Sequence, residues 1–347
     1  MKNQTFCPPN TDGIIISDPL NIFYLTGFMG SFGIVLLKKS GQKILVTDGR
    51  YKLTAQELSA KKQFHFVLFD EHFNTRFAPT LRGTWGIEDT ITLRTQTQYQ
   101  QWFCNADLVV QKNFIEQQRR TKTTFEIEST QAAATHTDEC IKKLLPCLKV
   151  GVTEAEISNI LRNLLEQTGE KESFENIIAF GENSAKPHHE PGLKKLARNM
   201  PVLIDCGSRV NGYCSDMTRN FWFGDTISSE YENAYQTLFR IQSTANEKFV
   251  SQTPVKGIAL FVRAELGAKN EFFIHSLGHG TGLNVHEAPS ISKKSTEVLQ
   301  TNDIVTNEPG LYFDGKFGIR IEDQLVVKEA FNENNVLTRF SKELIKI

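Results

Sequence analysis

Residues 202–222, VLIDCGSRVNGYCSDMTRNFW, contain the pattern that decides the fold. An Asn-Gly pair at positions 211 and 212 separates two β-prone runs, which is the sequence signature of a hairpin with a two-residue turn. Such a turn places Asp205 opposite Thr218, and Asp216 lies two residues before Thr218. Because side chains alternate between the two faces of a strand, we expect Asp205 and Asp216 on the same face unless a bulge intervenes.

The apolar run before Asp205 predicts that this carboxylate is buried. A buried carboxylate needs a cation or hydrogen bonds to offset the cost of leaving water. Diagonal neighbours on paired strands lie about 7–8 Å apart, a spacing at which two acids can share one or two cations. The pattern therefore indicates either a pair of metal ligands or two ordinary acids on a polar strand face.

A second acidic segment, residues 308–323, has the sequence EPGLYFDGKFGIRIED. Its Asp314-Gly315 pair predicts a two-residue turn, and simple pairing then places Glu308 opposite Ile321, one residue short of Glu322. A single bulge at one of the glycines in the flanking strands would bring the two glutamates face to face. Taken alone, the segment is more typical of a solvated strand face.

Two further segments contain histidines. Residues 277–289, LGHGTGLNVHEAP, include His279 and His286, and their three alternating glycines are expected to let the backbone approach a ligand closely. The segment lacks the second histidine of a zincin H-E-x-x-H helix, and its glycine spacing is not that of a dinucleotide-binding loop. Residues 181–191, GENSAKPHHEP, include His188 and, taken alone, are typical of a surface loop.

Together these segments supply five candidate metal ligands, most of them oxygen donors: Asp205, Asp216, His279, Glu308 and Glu322. Four carboxylates carry a charge of about −4, which balances two divalent cations. Oxygen-rich sites with one imidazole favour Mn²⁺, while Co²⁺, Fe²⁺ or Zn²⁺ can occupy them as well. Two metal ions about 3.5–4 Å apart are a common means of activating water. The motifs therefore predict a hydrolytic centre with two divalent metal ions.

Composition excludes several other classes of protein. The 347 residues carry 39 Lys and Arg and 40 Asp and Glu, so the near-zero net charge gives no support for broad capture of nucleic acid or an anionic membrane. No run approaches the roughly 18 apolar residues of a membrane span, and residues 1–10 lack the apolar core of a secretory signal. Six scattered cysteines without a C-x-x-C pair predict reduced thiols in the cytoplasm.

The pattern of predicted elements divides the chain in two. The first third has short apolar strands around a helix, which predicts an α/β domain, and a polar, charged passage at residues 115–124 follows it. Beyond that passage, capping boxes predict three helices, beginning at Thr123/Glu126, Thr153/Glu156 and Ser229/Glu232. With the hairpins described above, the second part is predicted to be α+β.

The ordered motifs resemble those of the pita-bread metallopeptidases of family M24, which include methionine aminopeptidase, aminopeptidase P and prolidase. In chain order the matches are Asn183-Ser184-x-x-Pro187-His188, Asp205-x-Gly207, Gly212-Tyr-x-Ser215-Asp216-x-Thr218-Arg219, Gly278-His279-Gly280-x-Gly282-Leu283-x-Val285-His286-Glu287-x-Pro289, Glu308-Pro309-Gly310 and Arg320-x-Glu322-Asp323. The first third resembles the creatinase-type N-terminal domain through residues 21–28, NIFYLTGF, and 47–51, TDGRY. Methionine aminopeptidases generally lack that domain, so the resemblance favours the Xaa-Pro branch of the family.

The resemblance implies a fold and a set of ligands. The implied fold is a creatinase-like α/β N-terminal domain over residues 1–118 and a pita-bread catalytic domain, with antiparallel sheet and flanking helices, over residues 119–347. The resemblance implies that all five candidate residues named above are metal ligands, and that Asp216 and Glu322 bridge two divalent ions. Arg320 would orient the ligating carboxylates without binding metal itself, and the protein would be a homodimer.

The implied function is that of a dinuclear-metal Xaa-Pro aminopeptidase, which releases the residue before proline from proline-containing peptides by attack of a metal-bound hydroxide. His188 and His286 would hold the substrate and stabilise the tetrahedral intermediate, and Glu308 would carry a proton to the proline nitrogen. An Xaa-Pro dipeptidase (prolidase) is the nearest alternative, and it would need a cation near the proline carboxylate. The complete ligand set argues against two others: a metal-free creatinase-type amidinohydrolase, and a catalytically inactive pseudo-peptidase that binds peptides or proteins.

Overall fold

The computed structural model describes residues 7–167 and 171–347; residues 1–6, which belong to the stretch expected to lack a secretory signal, lie outside the described residues. The chain divides into two compact units, Met1–Arg119 and Arg120–Ile347. Across the described ranges, no helix has both the length and the apolar character needed to cross a membrane.

The first unit is built on a six-stranded mixed sheet. Its elements are β1 (Gly13–Ile16), α1 (Pro19–Thr26), β2 (Ile34–Lys38), β3 (Lys43–Thr47), α2 (Lys52–Lys62), β4 (His65–Leu68), β5 (Gly83–Glu88), α3 (Leu93–Trp102), β6 (Ala106–Gln111) and α4 (Phe114–Arg120). The strand order is β4-β3-β2-β1-β5-β6. Ile15 packs into one apolar cluster while Ile14 and Ile16 pack into another, because alternate residues of the central strand face opposite sides of the sheet.

The second unit combines two pairs of helices with several small sheets, antiparallel except where β19 pairs in parallel with β12. Its helices are α5 (Thr124–Leu144), α6 (Glu154–Glu166), α7 (Ser229–Asn246) and α8 (Val255–Leu266). Its strands are β7 (Lys171–Glu172), β8 (Ile177–Phe180), β9 (Met200–Cys206), β10 (Ser208–Val210), β11 (Tyr213–Cys214), β12 (Met217–Phe223), β13 (Gly278–Gly280), β14 (Glu287–Ile291), β15 (Ile304–Asn307), β16 (Gly310–Phe313), β17 (Phe317–Arg320), β18 (Asp323–Val326) and β19 (Ile345–Lys346). Within the described residues these strands form sheets with the orders β11-β10-β7, β19-β12-β9-β8, β14-β13-β15-β18 and β16-β17.

The helix pairs cover the apolar faces of these sheets. Ile141 of α5 and Leu161 of α6 share a buried cluster with Ile204 of β9. Helices α7 and α8 likewise share a buried cluster with residues of β15, β16 and β17. Because side chains alternate along β9, Asp205 faces away from the apolar cluster that holds Ile204, towards a polar interior. The apolar packing therefore fixes the side of the sheet on which the acids lie.

The first predicted hairpin register is confirmed. Asp205 pairs with Thr218, and the turn residues Asn211 and Gly212 both have positive φ angles, 51° and 88°, as a type I′ turn requires. Asp216 immediately precedes β12, two residues before Thr218. The Asn-Gly pair was therefore sufficient to predict the strand register.

The predicted register of the second hairpin is wrong by one residue. Its loop contains three residues, 314–316, with Gly315 at a φ of 69°, instead of two. Gly310 consequently pairs with Arg320, and Asn307 pairs with Asp323. Because both strand pairs follow the same register, Glu308 and Glu322 lie opposite each other. The third loop residue shifts the pairing by the one residue for which a bulge had been predicted.

Two details of the helices and glycines also differ from expectation. The capping boxes at Thr123 and Thr153 form, but Ser229 is the first residue of α7 and makes no box with Glu232.

A Cβ atom on Gly278 or Gly280 would lie 2.1 Å from a backbone oxygen of a neighbouring strand. These glycines therefore allow strands to approach each other closely, and not a ligand as the sequence had suggested.

Candidate metal centre

All eight residues that the sequence assigns to the site line one cavity in the second unit. The cavity has a volume of about 650 Å³. Strands and the loops between them supply these residues: His188, Asp205, Asp216, His279, His286, Glu308, Arg320 and Glu322. The hairpin registers described above align the acids within each hairpin, and hydrogen bonds from Thr218 to Glu322 and from Arg320 to Asp205 join the two hairpins.

Three of these residues form a compact group that can hold a metal ion. One ligand atom each from Asp216, His279 and Glu322 lies within 4.8 Å of the others. The Nε2 atom of His279 also lies 3.2 Å from Oε1 of Glu308. Nδ1 of His279 lies 3.1 Å from the backbone oxygen of Gly280, and a proton on Nδ1 leaves the Nε2 lone pair free to face a cation.

Asp205 lines the same cavity and is paired with Arg320. Nη2 of Arg320 donates to Oδ2 of Asp205 at 2.6 Å, while Oδ1 of Asp205 is buried and has no hydrogen-bond partner among the described residues. An unpaired buried carboxylate oxygen is costly, and a metal ion is the kind of partner that removes that cost. The donor set, with four carboxylates and one imidazole, therefore fits hard divalent cations, although ligation by these five residues stays a prediction.

Burial and mutual repulsion raise the pKa values of the central acids. Burial is the main cause of the raised pKa of Asp216, and the charges of Glu322 and Asp205 raise it further. Burial likewise raises the pKa of Glu322 well above its usual range, and the charges of Glu308 and Asp205 add to the effect. Carboxylates this close disfavour one another's ionisation, and positive charge between them would relieve the repulsion.

Glu308 behaves differently because it faces a histidine. Burial alone would raise its pKa, but the hydrogen bond and the charge of His279 outweigh burial and lower that pKa to about 2. Burial opposes protonation of His279 as well, yet Glu308 raises the pKa of the imidazole. The two side chains therefore favour each other's charged forms, the carboxylate of Glu308 and the protonated imidazole of His279.

The two remaining histidines line the cavity and are exposed. The ring centre of His286 lies 4.4 Å from that of His279. Burial lowers the pKa of His286, and the charge of His279 lowers it further, so the ring is neutral at pH 7. His188 lies in the loop that follows β8.

The structure adds polar partners to which sequence reasoning assigned no role. Nη1 of Arg320 donates to the hydroxyl oxygen of Tyr312 at 2.8 Å, and that oxygen lies 2.9 Å from Nε2 of His275. Nε of Arg320 donates to Oγ1 of Thr218, which in turn donates to Glu322. In the sequence, His275 is marked only as one of several histidines in this half of the chain. The pairing of Thr218 with Asp205 was the one sequence signal that could have found Thr218.

Comparison with known proteins agrees with this arrangement. Residues 128–329 match metallopeptidase family M24, and residues 9–121 match the creatinase/prolidase N-terminal domain. The uncharacterized peptidase YqhT of Bacillus subtilis is 32% identical over 344 residues, covering 96% of this chain and 95% of that protein.

Solved structures agree as well. An Xaa-Pro dipeptidase from Bacillus anthracis superposes with a TM-score of 0.89 at 29% identity, covering 97% of this chain and 95% of the other. An X-Pro aminopeptidase from Thermotoga maritima superposes with a TM-score of 0.88 at 28% identity, covering 97% and 98%. The predicted creatinase-like and pita-bread folds are thus confirmed. The chain belongs to metallopeptidase family M24 and is a hydrolase.

Proposed function

We propose that this protein is an Xaa-Pro aminopeptidase that uses two divalent metal ions to release the residue preceding proline from longer peptides. The observation that carries the proposal is the charge of the cavity wall. Among the described residues that line the cavity, Arg320 is the only arginine or lysine. All of its hydrogen bonds go to groups of the protein itself, which are Asp205, Thr218, Tyr312 and the backbone oxygen of Pro187.

This charge pattern favours an aminopeptidase over a dipeptidase. In an Xaa-Pro dipeptide the proline carries a free carboxylate one residue from the scissile bond, and burying that charge requires a cation. In a longer peptide the same position is a neutral amide, which needs only hydrogen bonds. A wall whose single arginine is already paired therefore suits the longer peptide better.

The residues that would hold the two ions are Asp205, Asp216, His279, Glu308 and Glu322, and Asp216 and Glu322 would contribute to both ions. The oxygen-rich donor set supports Mn²⁺ as the resident metal, with Co²⁺, Fe²⁺ or Zn²⁺ as substitutes. When bound, the ions supply an activated water nucleophile and polarise the scissile carbonyl. Arg320 keeps the Asp205 carboxylate in a fixed orientation through its 2.6 Å contact.

The chain's own residues handle the proton and the substrate. An Xaa-Pro bond has no N–H, so the proline nitrogen must gain a proton before it can leave. Glu308 is the carboxylate that would accept a proton from the attacking water and pass it to that nitrogen. His188 and His286 line the cavity with imidazole N–H groups that can hold the substrate carbonyl and stabilise the tetrahedral oxyanion.

A dipeptidase is the second candidate, and it is supported by the likeness to the Bacillus anthracis structure, which is named as an Xaa-Pro dipeptidase. The likeness to the Thermotoga maritima structure supports the aminopeptidase by the same kind of argument. The two solved structures have almost the same sequence identity to this chain, so the likeness favours neither activity. The charge of the cavity wall is therefore the better basis for choosing between an aminopeptidase and a dipeptidase.

We extend the proposal to domains, assembly and location. An N-terminal domain over residues 1–118 and a catalytic domain over residues 119–347 are supported by the compact units and by the two family matches. A homodimer rests on the family resemblance, and a monomer in light scattering would contradict it. A reducing cytoplasmic location is supported by the six cysteines, all within the described residues, which form no disulfide with one another.

The experiment that tests the choice of substrate compares Ala-Pro with Ala-Pro-Ala-Ala on the Mn²⁺-loaded enzyme, with mass spectrometry of the products. We expect kcat/KM for the tetrapeptide to exceed that for the dipeptide by at least about tenfold, the effect of one uncompensated buried charge. Alanine must appear together with Pro-Ala-Ala. A preference for the dipeptide would establish the second candidate and refute the first.

A further inference from the structure

We infer that Glu154, at the start of α6, is a positioning residue for substrate binding, because its carboxylate holds the loop that presents His188. The loop comprises residues 180–192 and is called the His188 loop below. The inference rests on the proposed function, since it assumes that His188 contacts the peptide. Glu154 itself does not line the cavity and would touch neither metal nor substrate.

Four donors converge on this one carboxylate, and all four belong to the His188 loop. Oε1 of Glu154 accepts from the backbone N–H of Phe180 at 2.8 Å and from Nδ2 of Asn183 at 3.0 Å. Oε2 accepts from Nε2 of His189 at 2.8 Å and from the backbone N–H of Gly192 at 3.1 Å. The carboxylate thus ties together the two ends and the middle of the loop.

The contact with His189 links this anchor to the cavity. His189 adjoins His188, and only 9% of the His189 side chain is exposed. His188, in contrast, is exposed on the cavity wall. Because one peptide bond separates the two residues, fixing the His189 ring restricts the backbone from which His188 projects into the cavity.

The other side of the His188 loop has its own attachments near the metal centre. Ser184 accepts a hydrogen bond from the backbone N–H of Gly318, and the Pro187 oxygen accepts one from Arg320. These contacts do not involve Glu154, so loss of Glu154 should free the His189 side of His188 while the Pro187 side and the ligands stay in place. Substrate affinity is therefore expected to suffer more than the chemical step.

Capping of the helix does not explain a buried acid at this position. Thr153 and Glu156 already form a complete capping box at the start of α6. Glu156 is exposed, whereas Glu154 is fully buried. A buried carboxylate is stable here only because four donors surround it, and glutamine, with a single acceptor oxygen, cannot accept from all four.

The test compares Glu154→Gln with Glu156→Gln in the full-length, metal-loaded enzyme. Both variants remove one negative charge from the first turn of α6, but only Glu154→Gln touches the His188 loop. For Glu154→Gln we expect KM for Ala-Pro-Ala-Ala to rise by about tenfold, with kcat changed by less than about threefold and metal content unchanged. A Glu154→Gln enzyme with the KM of the wild type, or with a lower kcat and an unchanged KM, would overturn the inference. The control variant, Glu156→Gln, should have the KM of the wild type.

Two further measurements keep the inference testable if the first variant is unstable or the assay fails. Asn183→Ala removes one of the four donors and should raise KM by about threefold in a folded enzyme; no change would count against the inference. Hydrogen exchange needs no activity: the amides of Phe180 and Gly192 should exchange at least about tenfold faster in Glu154→Gln than in Glu156→Gln. A wild-type enzyme that cleaves no Xaa-Pro peptide would refute the proposed function, and unchanged exchange would refute the role of Glu154.

Discussion

Arg320 and Asp205 form a one-sided ion pair: Nη2 of Arg320 lies 2.6 Å from Oδ2 of Asp205, while the buried Oδ1 has no hydrogen-bond partner among the described residues. The guanidinium is held in place by Thr218 and Tyr312 through two further donors. One oxygen of the carboxylate is thus fixed by the protein, and the other is left without a partner in a residue that lines the cavity together with the remaining acids. Metal-binding carboxylates are commonly held in this way: a protein donor fixes one oxygen, and the other oxygen is available to the ion.

Replacing Arg320 by lysine should therefore weaken metal binding. Lysine keeps the positive charge but cannot match the fixed fork of donors, so the orientation of Asp205 is lost. We expect metal affinity to fall by about 10- to 100-fold, measured by competition with a chelator. Arg198→Lys is the matched control, since that arginine is exposed and pairs only at the surface with Asp225. Equal metal affinity in Arg320→Lys and the control would contradict the role of Arg320.

Removing a proposed shared ligand should have a larger effect. Asp216→Asn loses the charge that a divalent cation needs, and kcat should fall by at least about 10³-fold because several kcal/mol of charge stabilisation depend on the metal. Metal analysis after desalting should show less than the wild-type content. Asp225→Asn, at an acid whose side chain is 90% exposed, should change neither quantity. Full metal content together with full Xaa-Pro cleavage in Asp216→Asn would show that the ligand assignment is wrong.

A pH-dependent contribution to stability is expected from Asp138, which lies away from the metal centre on α5. Burial raises the pKa of Asp138 above its ordinary value of 3.8, although Oδ2 accepts a hydrogen bond from the backbone of Arg339. The folded state therefore binds this proton more tightly than the unfolded chain. Stability from this group is present below pH 3.8 and is lost as the pH rises through the raised pKa of the folded state.

Urea unfolding of the wild type and Asp138→Asn at several pH values measures this effect. Because asparagine does not titrate, the free energy of unfolding of the wild type should improve relative to the variant as the pH falls from about 7 towards 4. Asp225→Asn again serves as the control at an exposed acid. A difference between wild type and Asp138→Asn that stays constant with pH, or grows in the opposite direction, would contradict the assigned pKa shift.

Much of the site could be predicted from the sequence because short-range rules fixed its geometry. The Asn211-Gly212 turn determined that Asp205 pairs with Thr218, since few other turns suit that pair of residues. The same reasoning failed at Asp314-Gly315, where the chain forms a three-residue loop and shifts the register by one. A dipeptide indicates that a turn exists, but the length of the loop depends on how the flanking strands pack.

Other features could not be predicted because they depend on contacts distant in sequence. Glu154 looks like an ordinary acid in the first turn of a helix, and only the packed loop shows that four donors reach it. The alternating glycines at 278 and 280 suggested access for a ligand, but each lies against the backbone of a neighbouring strand. Both cases depend on which surfaces meet in the folded chain, and no local pattern contains that information.

Metal-dependent cleavage before proline can be tested in a single titration. The protein is stripped of metal with a chelator and titrated with Mn²⁺ in the presence of Ala-Pro-Ala-Ala, and the products are identified by mass spectrometry. We expect no cleavage without metal, activity that saturates near two ions per chain, and alanine plus Pro-Ala-Ala as products, with Ala-Ala-Ala-Ala left intact. Absence of cleavage from a protein that has bound its metal, or cleavage that does not depend on metal, would contradict the proposed function.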